Sequence, residues 1–180
     1  MLTRHVQLNG PGKDIFQLDK LFFPINQDYS HWVVVVVVME RQCLYFHDSL
    51  MDSEENMDEQ GEMEHGKKGY HYLEQVFQYL KDEHLAKFQK PLPEGWDSVY
   101  GNFESTPQQK NGMQGFITLS PTPAILTCQS PCTTGSDCGV FMCMCMAFYL
   151  YNAPLEHTQD HMVECRQRIC LSILDGKIRS

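Results

Sequence analysis

The sequence predicts an α+β fold, in which strands and helices occupy separate parts of the chain. Six consecutive valines at 33–38 are typical of a strand that is covered on both faces. Apolar residues recur at helical spacing between Tyr72 and Leu80, and the almost wholly apolar stretch from Gly139 to Tyr151 indicates a buried helix. Because these elements are segregated rather than alternating, they do not predict a parallel α/β sheet.

Length and composition indicate one globular domain over residues 1–180. Hydrophobic residues make up 42% of the chain, which is enough for a core, and no apolar run is long enough to span a membrane. The net charge of −9 argues against nucleic acid as the main partner. We expect a monomeric intracellular protein that binds neither membranes nor nucleic acid.

The N-terminal half contains a predicted hairpin and a long acidic loop. Leu21–Ile25 is a short strand candidate, and the valine strand is followed by a second strand at Cys43–Phe46 across a turn at Glu40–Arg41. Segment 51–69 is rich in acidic residues and is predicted to be a solvated loop.

Helices and loops fill the rest of the chain. A helix of about four turns is expected around 72–81, and Pro91–Gly95 breaks its pattern. Residues 101–135 have a loop composition, with weak strand candidates at 117–119 and 124–126. Thr158 is a candidate cap for a last helix that runs to about residue 174. Its predicted inward-facing residues are Met162, Cys165, Ile169 and Ile173.

One of the eight cysteines lies where a nucleophile is expected. We expect the cysteines to be free thiols, and those in apolar stretches (Cys43, Cys143, Cys145 and Cys170) to act as small hydrophobic residues. Cys138 instead lies where a loop becomes a buried helix. Unpaired N–H groups and the positive dipole end at a helix N-terminus favour a thiolate and can stabilise an oxyanion. The alternative is a buried structural cysteine that happens to begin a helix.

A histidine and an aspartate are brought together by the predicted hairpin. With the turn at Glu40–Arg41, paired residue numbers sum to 81, so Asp48 pairs with Val33. His31 lies two residues beyond Val33 and therefore on the same face as Asp48. An aspartate that accepts from one ring nitrogen leaves the other nitrogen to act as a base on a thiol. Taken separately, His31 is equally compatible with a surface or capping role and Asp48 with a turn.

The motifs, taken in order, resemble those of the Ulp/sentrin-specific family of SUMO proteases. Asp137–Phe141 (Asp-Cys-Gly-Val-Phe) matches the nucleophile motif of that family, and His31-Trp32 resembles its His-Trp pair. Further similar segments are Asp14–Asn26, Tyr45–Ser49 and Thr158–Met162, with Arg166 and Arg168 beyond. The similarity extends from about residue 12 to residue 175.

The resemblance implies a papain-like cysteine protease fold. It implies hydrolysis after the C-terminal Gly-Gly of a ubiquitin-like protein, most closely SUMO, in a precursor or in an isopeptide conjugate. Cys138 would be the nucleophile, His31 the base and Asp48 the residue that orients it, without a metal or cofactor. Trp32 would bind substrate by covering a narrow tunnel that admits only the diglycine. A nuclear or nucleo-cytoplasmic location is also implied.

Two departures from the family pattern affect the expected site. The resemblance implies an N-terminal lobe that this chain starts too late to contain, so we expect a partial domain. The family's oxyanion glutamine lies six residues before the cysteine, where this chain has Cys132. Removing 113–135 would restore the pattern with Gln109 as the oxyanion donor, so we interpret 113–135 as an insertion. Otherwise the loop is genuine and Gln109 returns to the site, or Gln129 replaces it.

Two other functions compete with an active protease. A truncated family member without catalytic activity would only bind a ubiquitin-like protein. A zinc module would use Cys128, Cys132, Cys138 and a nearby histidine, but no second matched cysteine pair follows.

Overall fold

The computed structural model describes residues 14–50, 64–100, 106–109 and 137–176. One mixed sheet contains β1 (Lys20–Gln27), β2 (His31–Val38), β3 (Cys43–His47) and β4 (Asp97–Tyr100), in that spatial order. The first two strand pairs are antiparallel, and β3 and β4 are parallel. The helices are α1 (Glu64–Phe88), α2 (Cys138–Leu150) and α3 (Met162–Asp175), with 3-10 turns at Ile15–Gln17, Met39–Arg41 and Gln159–His161.

The valine strand β2 lies at the centre of the fold, and both of its faces are buried. Val33, Val35 and Val37 share an apolar cluster with α1 residues such as Val76. Valines on the opposite face pack against α2, where Cys145 belongs to the same cluster. The prediction that β2 is covered on both faces is therefore confirmed.

The hairpin has the predicted register, although its turn is longer than two residues. Val34 pairs with His47 and Val38 pairs with Cys43, so paired numbers sum to 81. A 3-10 turn at Met39–Arg41 followed by Gln42 at φ 49° connects the strands. This turn replaces the expected Glu40–Arg41 turn, and the register is the same because the loop grows equally on both sides.

Several element boundaries differ from the sequence prediction. Strand β1 continues through Pro24, which is tolerated because β1 lies at the edge of the sheet that the described residues form. Helix α1 begins at Glu64, so the end of the predicted 51–69 acidic loop is helical. Strand β4 was not predicted because its four residues carry too short a pattern.

The last helix has a narrower buried face than the sequence predicted. Met162 and Cys165 are buried and Ile169 is partly buried, but Ile173 is 75% exposed. The prediction for Ile173 is wrong because the later part of α3 does not close onto α2, and Ile173 lines an open groove opposite α2 residues such as Met146 and Leu150. Thr158 does cap the 3-10 turn before α3, through a reciprocal capping box with His161.

The segment interpreted as an insertion, 113–135, lies outside the described residues, as do both strand candidates within it. Within the described part of the chain, no helix is long and apolar enough to cross a membrane.

Candidate active site

His31 and Asp48 form a buried hydrogen bond at one end of the hairpin. His31 begins β2 and Asp48 directly follows β3. Nε2 of His31 donates to Oδ1 of Asp48 over 2.6 Å, and both residues are buried. The other ring nitrogen, Nδ1, is buried and has no hydrogen-bond partner among the described residues. The ring is thus held through one nitrogen, and the other is left free to accept a proton.

The carboxylate of Asp48 is itself held in place. Its Oδ1 also accepts the backbone N–H of Leu50 over 2.8 Å. Asp48 is only 1% exposed, so both of these bonds act where water does not compete. The backbone therefore fixes which carboxylate oxygen faces His31.

Cys138 is the first residue of α2, as the sequence predicted. It is 4% exposed, yet it belongs to none of the three apolar clusters formed by the described residues. The residue before the helix, Asp137, makes no side-chain bond to the first-turn N–H groups. The Asp137 side chain thus leaves the first-turn N–H groups uncapped, and the positive dipole end of α2 lies beside the sulfur.

The side chain of Asp137 connects the start of α2 to α3 and to the 3-10 turn that precedes it. Its side chain is 1% exposed and forms an ion pair with Arg166 of α3. It also accepts from Nε2 of Gln159 over 2.6 Å. Arg166 was noted only within a segment that resembles the family and was assigned no role. The signal available in the sequence is the acidic residue Asp137 directly before the candidate nucleophile, since a buried carboxylate needs a cation or donor.

Trp32 covers the first turn of α2. A Cβ placed on Gly139 would lie 3.5 Å from Cδ1 of Trp32, which is ordinary van der Waals contact. Trp32 is 38% exposed and directly follows His31. The helix start that carries Cys138 and the strand start that carries His31 are therefore neighbours.

Gln109 reaches the same region. Its backbone N–H donates to the carbonyl of Ser49 over 2.7 Å, one residue beyond Asp48. The side chain is buried, and its Oε1 has no hydrogen-bond partner among the described residues. Of the two glutamines considered for an oxyanion role, Gln109 lies beside the His31–Asp48 pair, whereas Gln129 lies outside the described residues.

Burial makes three of the other cysteines less suited to nucleophilic chemistry. Burial raises the pKa of Cys145 to about 12 and also raises the pKa of Cys143 and Cys165. Cys170 is exposed rather than buried, because it lies on the outer side of α3. All six cysteines in the described part of the chain are free thiols. Cys128 and Cys132, from the zinc alternative, lie outside the described residues.

Two buried histidines near the site are held neutral. Burial, with His157 nearby, lowers the pKa of His47 to about 4. Burial, with His161 nearby, lowers the pKa of His157 to about 4 as well. His157 is enclosed by the rings of Phe141 and Phe148, at centroid distances of 5.2 and 5.3 Å. Neither histidine was assigned a role from the sequence.

Together, these residues have the chemistry of thiol-dependent acyl transfer. A cysteine begins a buried helix, a neighbouring strand carries a histidine held by a carboxylate, and a glutamine lies beside them. A mixed sheet between helices with this set of side chains defines the class of cysteine peptidase domains.

Sequence comparison places the chain within that class. Residues 3–114 match the family described as the Ulp1 protease family, C-terminal catalytic domain. The chain belongs to this family. The matched range contains His31, Asp48 and Gln109, and it ends at the start of segment 113–135.

Curated relatives are similar over nearly the whole chain. It is 26% identical to human Sentrin-specific protease 2 over 168 residues, and the aligned region covers 93% of this chain and 22% of the relative. It is 22% identical over 165 residues to Ubiquitin-like-specific protease 1 of Saccharomyces cerevisiae, covering 92% and 20% respectively. The chain therefore spans about a fifth of the length of these relatives.

Solved structures share the fold. The SUMO protease Ulp1 with its catalytic cysteine oxidised to a sulfonic acid has a TM-score of 0.59 at 20% identity, covering 93% of this chain and 58% of that one. The C-terminal Ulp1 protease domain in complex with Smt3, the yeast ortholog of SUMO, has a TM-score of 0.58 at 20% identity, covering 93% and 57%. The predicted α+β papain-like fold of this protease type is thus confirmed.

Proposed function

We propose that this chain is a cysteine peptidase that hydrolyses the bond after the C-terminal Gly-Gly of SUMO, in both precursors and isopeptide conjugates. The observation that carries the proposal is the buried 2.6 Å bond from His31 to Asp48, which leaves the second ring nitrogen unpartnered. The Asp48 carboxylate can only accept, so it fixes the ring proton on Nε2, and a general base needs the other nitrogen free.

In the proposed mechanism, Nδ1 of His31 takes the proton of the Cys138 thiol, and Asp48 stabilises the resulting imidazolium. The thiolate attacks the carbonyl carbon of the terminal glycine. The oxyanion accepts hydrogen bonds from the start of α2 and from the amide of Gln109. The imidazolium then returns the proton to the leaving amine, and water hydrolyses the thioester with His31 again acting as base.

The proposed substrate rests on similarity to other proteins and on the position of Trp32. The similar Ulp1 domain is described in complex with a SUMO ortholog, and curated relatives carry SUMO-directed names. Trp32 lies over the start of α2 with 38% of its surface exposed, where a flat ring restricts the approach to Cys138. A peptide without side chains passes such a restriction most readily, which favours diglycine. A nuclear or nucleo-cytoplasmic location is part of this proposal and is tested by imaging a fluorescent fusion.

The test is covalent labelling of the purified chain by SUMO that carries an electrophile at its C-terminus. We expect one adduct, its loss in Cys138→Ser, and its retention in Cys170→Ser, which removes an exposed thiol outside the site. Binding of SUMO without labelling of the wild type would instead support the inactive alternative. Labelling by ubiquitin but not by SUMO would overturn the substrate assignment.

A further inference from the structure

Three consecutive residues at the end of β3 each contact one residue of the 106–109 segment. Nδ1 of His47 is 3.0 Å from the hydroxyl of Thr106. The carbonyl of Asp48 accepts from the side chain of Gln108 over 3.1 Å. The carbonyl of Ser49 accepts the Gln109 N–H over 2.7 Å. The segment that carries Gln109 is therefore fastened to the stretch that contains Asp48.

The His47 side chain contacts the 106–109 segment through one ring nitrogen and helix α2 through the other. Its Nε2 is 2.8 Å from the hydroxyl of Tyr149, which lies on α2, the helix that begins at Cys138. One imidazole thus joins β3, the 106–109 segment and α2. Asp48 directly follows β3, the 106–109 segment contains Gln109, and α2 begins at Cys138.

The His47 ring is buried, with 6% of its surface exposed, and both of its nitrogens are hydrogen-bonded. Burial keeps the ring neutral, with one donor and one acceptor, and the two hydroxyls can each take the complementary role. In contrast, neither ring nitrogen of the neighbouring His157 has a partner among the described residues. The two histidines therefore differ in whether they connect other parts of the site.

We infer that His47 is a positioning residue, which sets the place of Gln109 relative to Cys138 by tying Thr106 and Tyr149 to the end of β3. This inference rests on the proposed function, since it assigns His47 an effect on the oxyanion donor. His47 does not touch the reacting atoms itself. Its effect on the reaction passes through Gln109.

The first test compares two reactions of Cys138 in His47→Phe, which keeps a ring but removes both nitrogens. Hydrolysis of a SUMO C-terminal reporter needs the oxyanion donor, whereas alkylation by iodoacetamide does not. We expect kcat to fall by about 10- to 100-fold, with KM and the alkylation rate nearly unchanged. His47→Asn retains an amide near the position of Nδ1 and is expected to recover part of the loss. The control His157→Phe removes a buried imidazole without hydrogen bonds, and its kcat should match the wild type.

The second test is a double-mutant cycle with Gln109→Ala. If His47 acts through Gln109, the double variant is no slower than Gln109→Ala alone. Additive losses would overturn the inference, as would a wild-type kcat in His47→Phe. An equal fall in hydrolysis and alkylation would also overturn it, because the substitution would then have damaged the site as a whole.

A third measurement does not depend on activity. Native-state hydrogen exchange should show faster exchange of the Gln109 amide in His47→Phe than in the wild type or His157→Phe, because the bond to Ser49 is loosened. Unchanged exchange would contradict the inference. Wild-type protein that never cleaves SUMO but shows this exchange pattern would contradict the proposed function while leaving the attachment through His47 supported.

Discussion

Replacing Asp48 with asparagine is expected to slow catalysis far less than replacing it with alanine. The proposed mechanism needs the neutral His31 ring to carry its proton on Nε2, so that Nδ1 is free to take the thiol proton. Position 48 must therefore present an acceptor to Nε2. Asparagine can present its oxygen or its NH₂ group, and the two orientations have opposite effects.

The surroundings of Asp48 decide the orientation. The oxygen that accepts from His31 also accepts the Leu50 N–H over 2.8 Å. An amide turned the other way would place its NH₂ group against that donor. The amide oxygen of the substituted side chain therefore faces His31, and the substitution removes only the negative charge. The difference between a hydrogen bond to a charged and to a neutral acceptor is about 1 to 2 kcal/mol, which corresponds to roughly 5- to 30-fold in kcat.

Alanine removes the acceptor altogether. The His31 ring can then carry its proton on either nitrogen. A misplaced catalytic group costs about 10²-fold and a wrongly protonated histidine about 10⁴-fold, so we expect the loss in Asp48→Ala to lie between these values. Steady-state hydrolysis of a SUMO C-terminal reporter by both variants, with thermal melts to verify folding, measures the difference. Equal rates for Asp48→Asn and Asp48→Ala would contradict this expectation, because the Leu50 N–H would then have no orienting effect.

Three further substitutions or conditions test the fold. Arg166→Ala should lower the free energy of unfolding by about 1.5 to 3 kcal/mol in urea denaturation, since the buried Asp137 carboxylate loses its cation, and Arg166→Lys should lose less. Leu80→Ala should lower the free energy of unfolding by about 2 to 5 kcal/mol, because this side chain of α1 is fully buried in the apolar cluster against the sheet. An unchanged free energy of unfolding would contradict the packing. The protein should also lose stability as the pH falls from about 6.5 to about 4, because His47 and His157 are neutral in the folded state down to about 4, whereas the unfolded chain binds their protons near 6.5. The loss should be on the order of a few kcal/mol in chemical denaturation and smaller in His157→Phe, and equal acid sensitivity of the two proteins would contradict the assignment to His157.

The features that could be predicted from the sequence depend on local patterns. The valine run specified β2, and an assumed turn between two nearby strands was enough to place His31 on the same face as Asp48. The transition from polar loop to apolar helix identified the position of Cys138. Each of these inferences uses residues close in sequence or a period that the backbone itself imposes.

The features that could not be predicted depend on contacts between distant segments. The bond from His47 to Thr106 spans 59 positions, and the pair of Arg166 with Asp137 spans 29. No periodicity records such pairs, and a single sequence offers many polar side chains as possible partners. The exposed position of Ile173 was missed for a related reason. Helical spacing identifies an apolar face, but how closely the neighbouring helix approaches decides how much of that face is covered.

The uniform valine run in β2 means that side chains in the centre of the sheet cannot distinguish one alignment from the next. A shift of a single residue would exchange valine for valine on both faces, so packing alone would scarcely oppose it. The alignment must therefore be fixed by what lies at the strand ends, chiefly the Met39–Gln42 connection and the polar residues at the start of β2. A one-residue shift of β2 would turn His31 to the opposite side of the sheet and separate it from Asp48 while leaving the valines buried. The strand that contributes most to the core thus leaves the alignment of the proposed catalytic pair to the residues at its two ends.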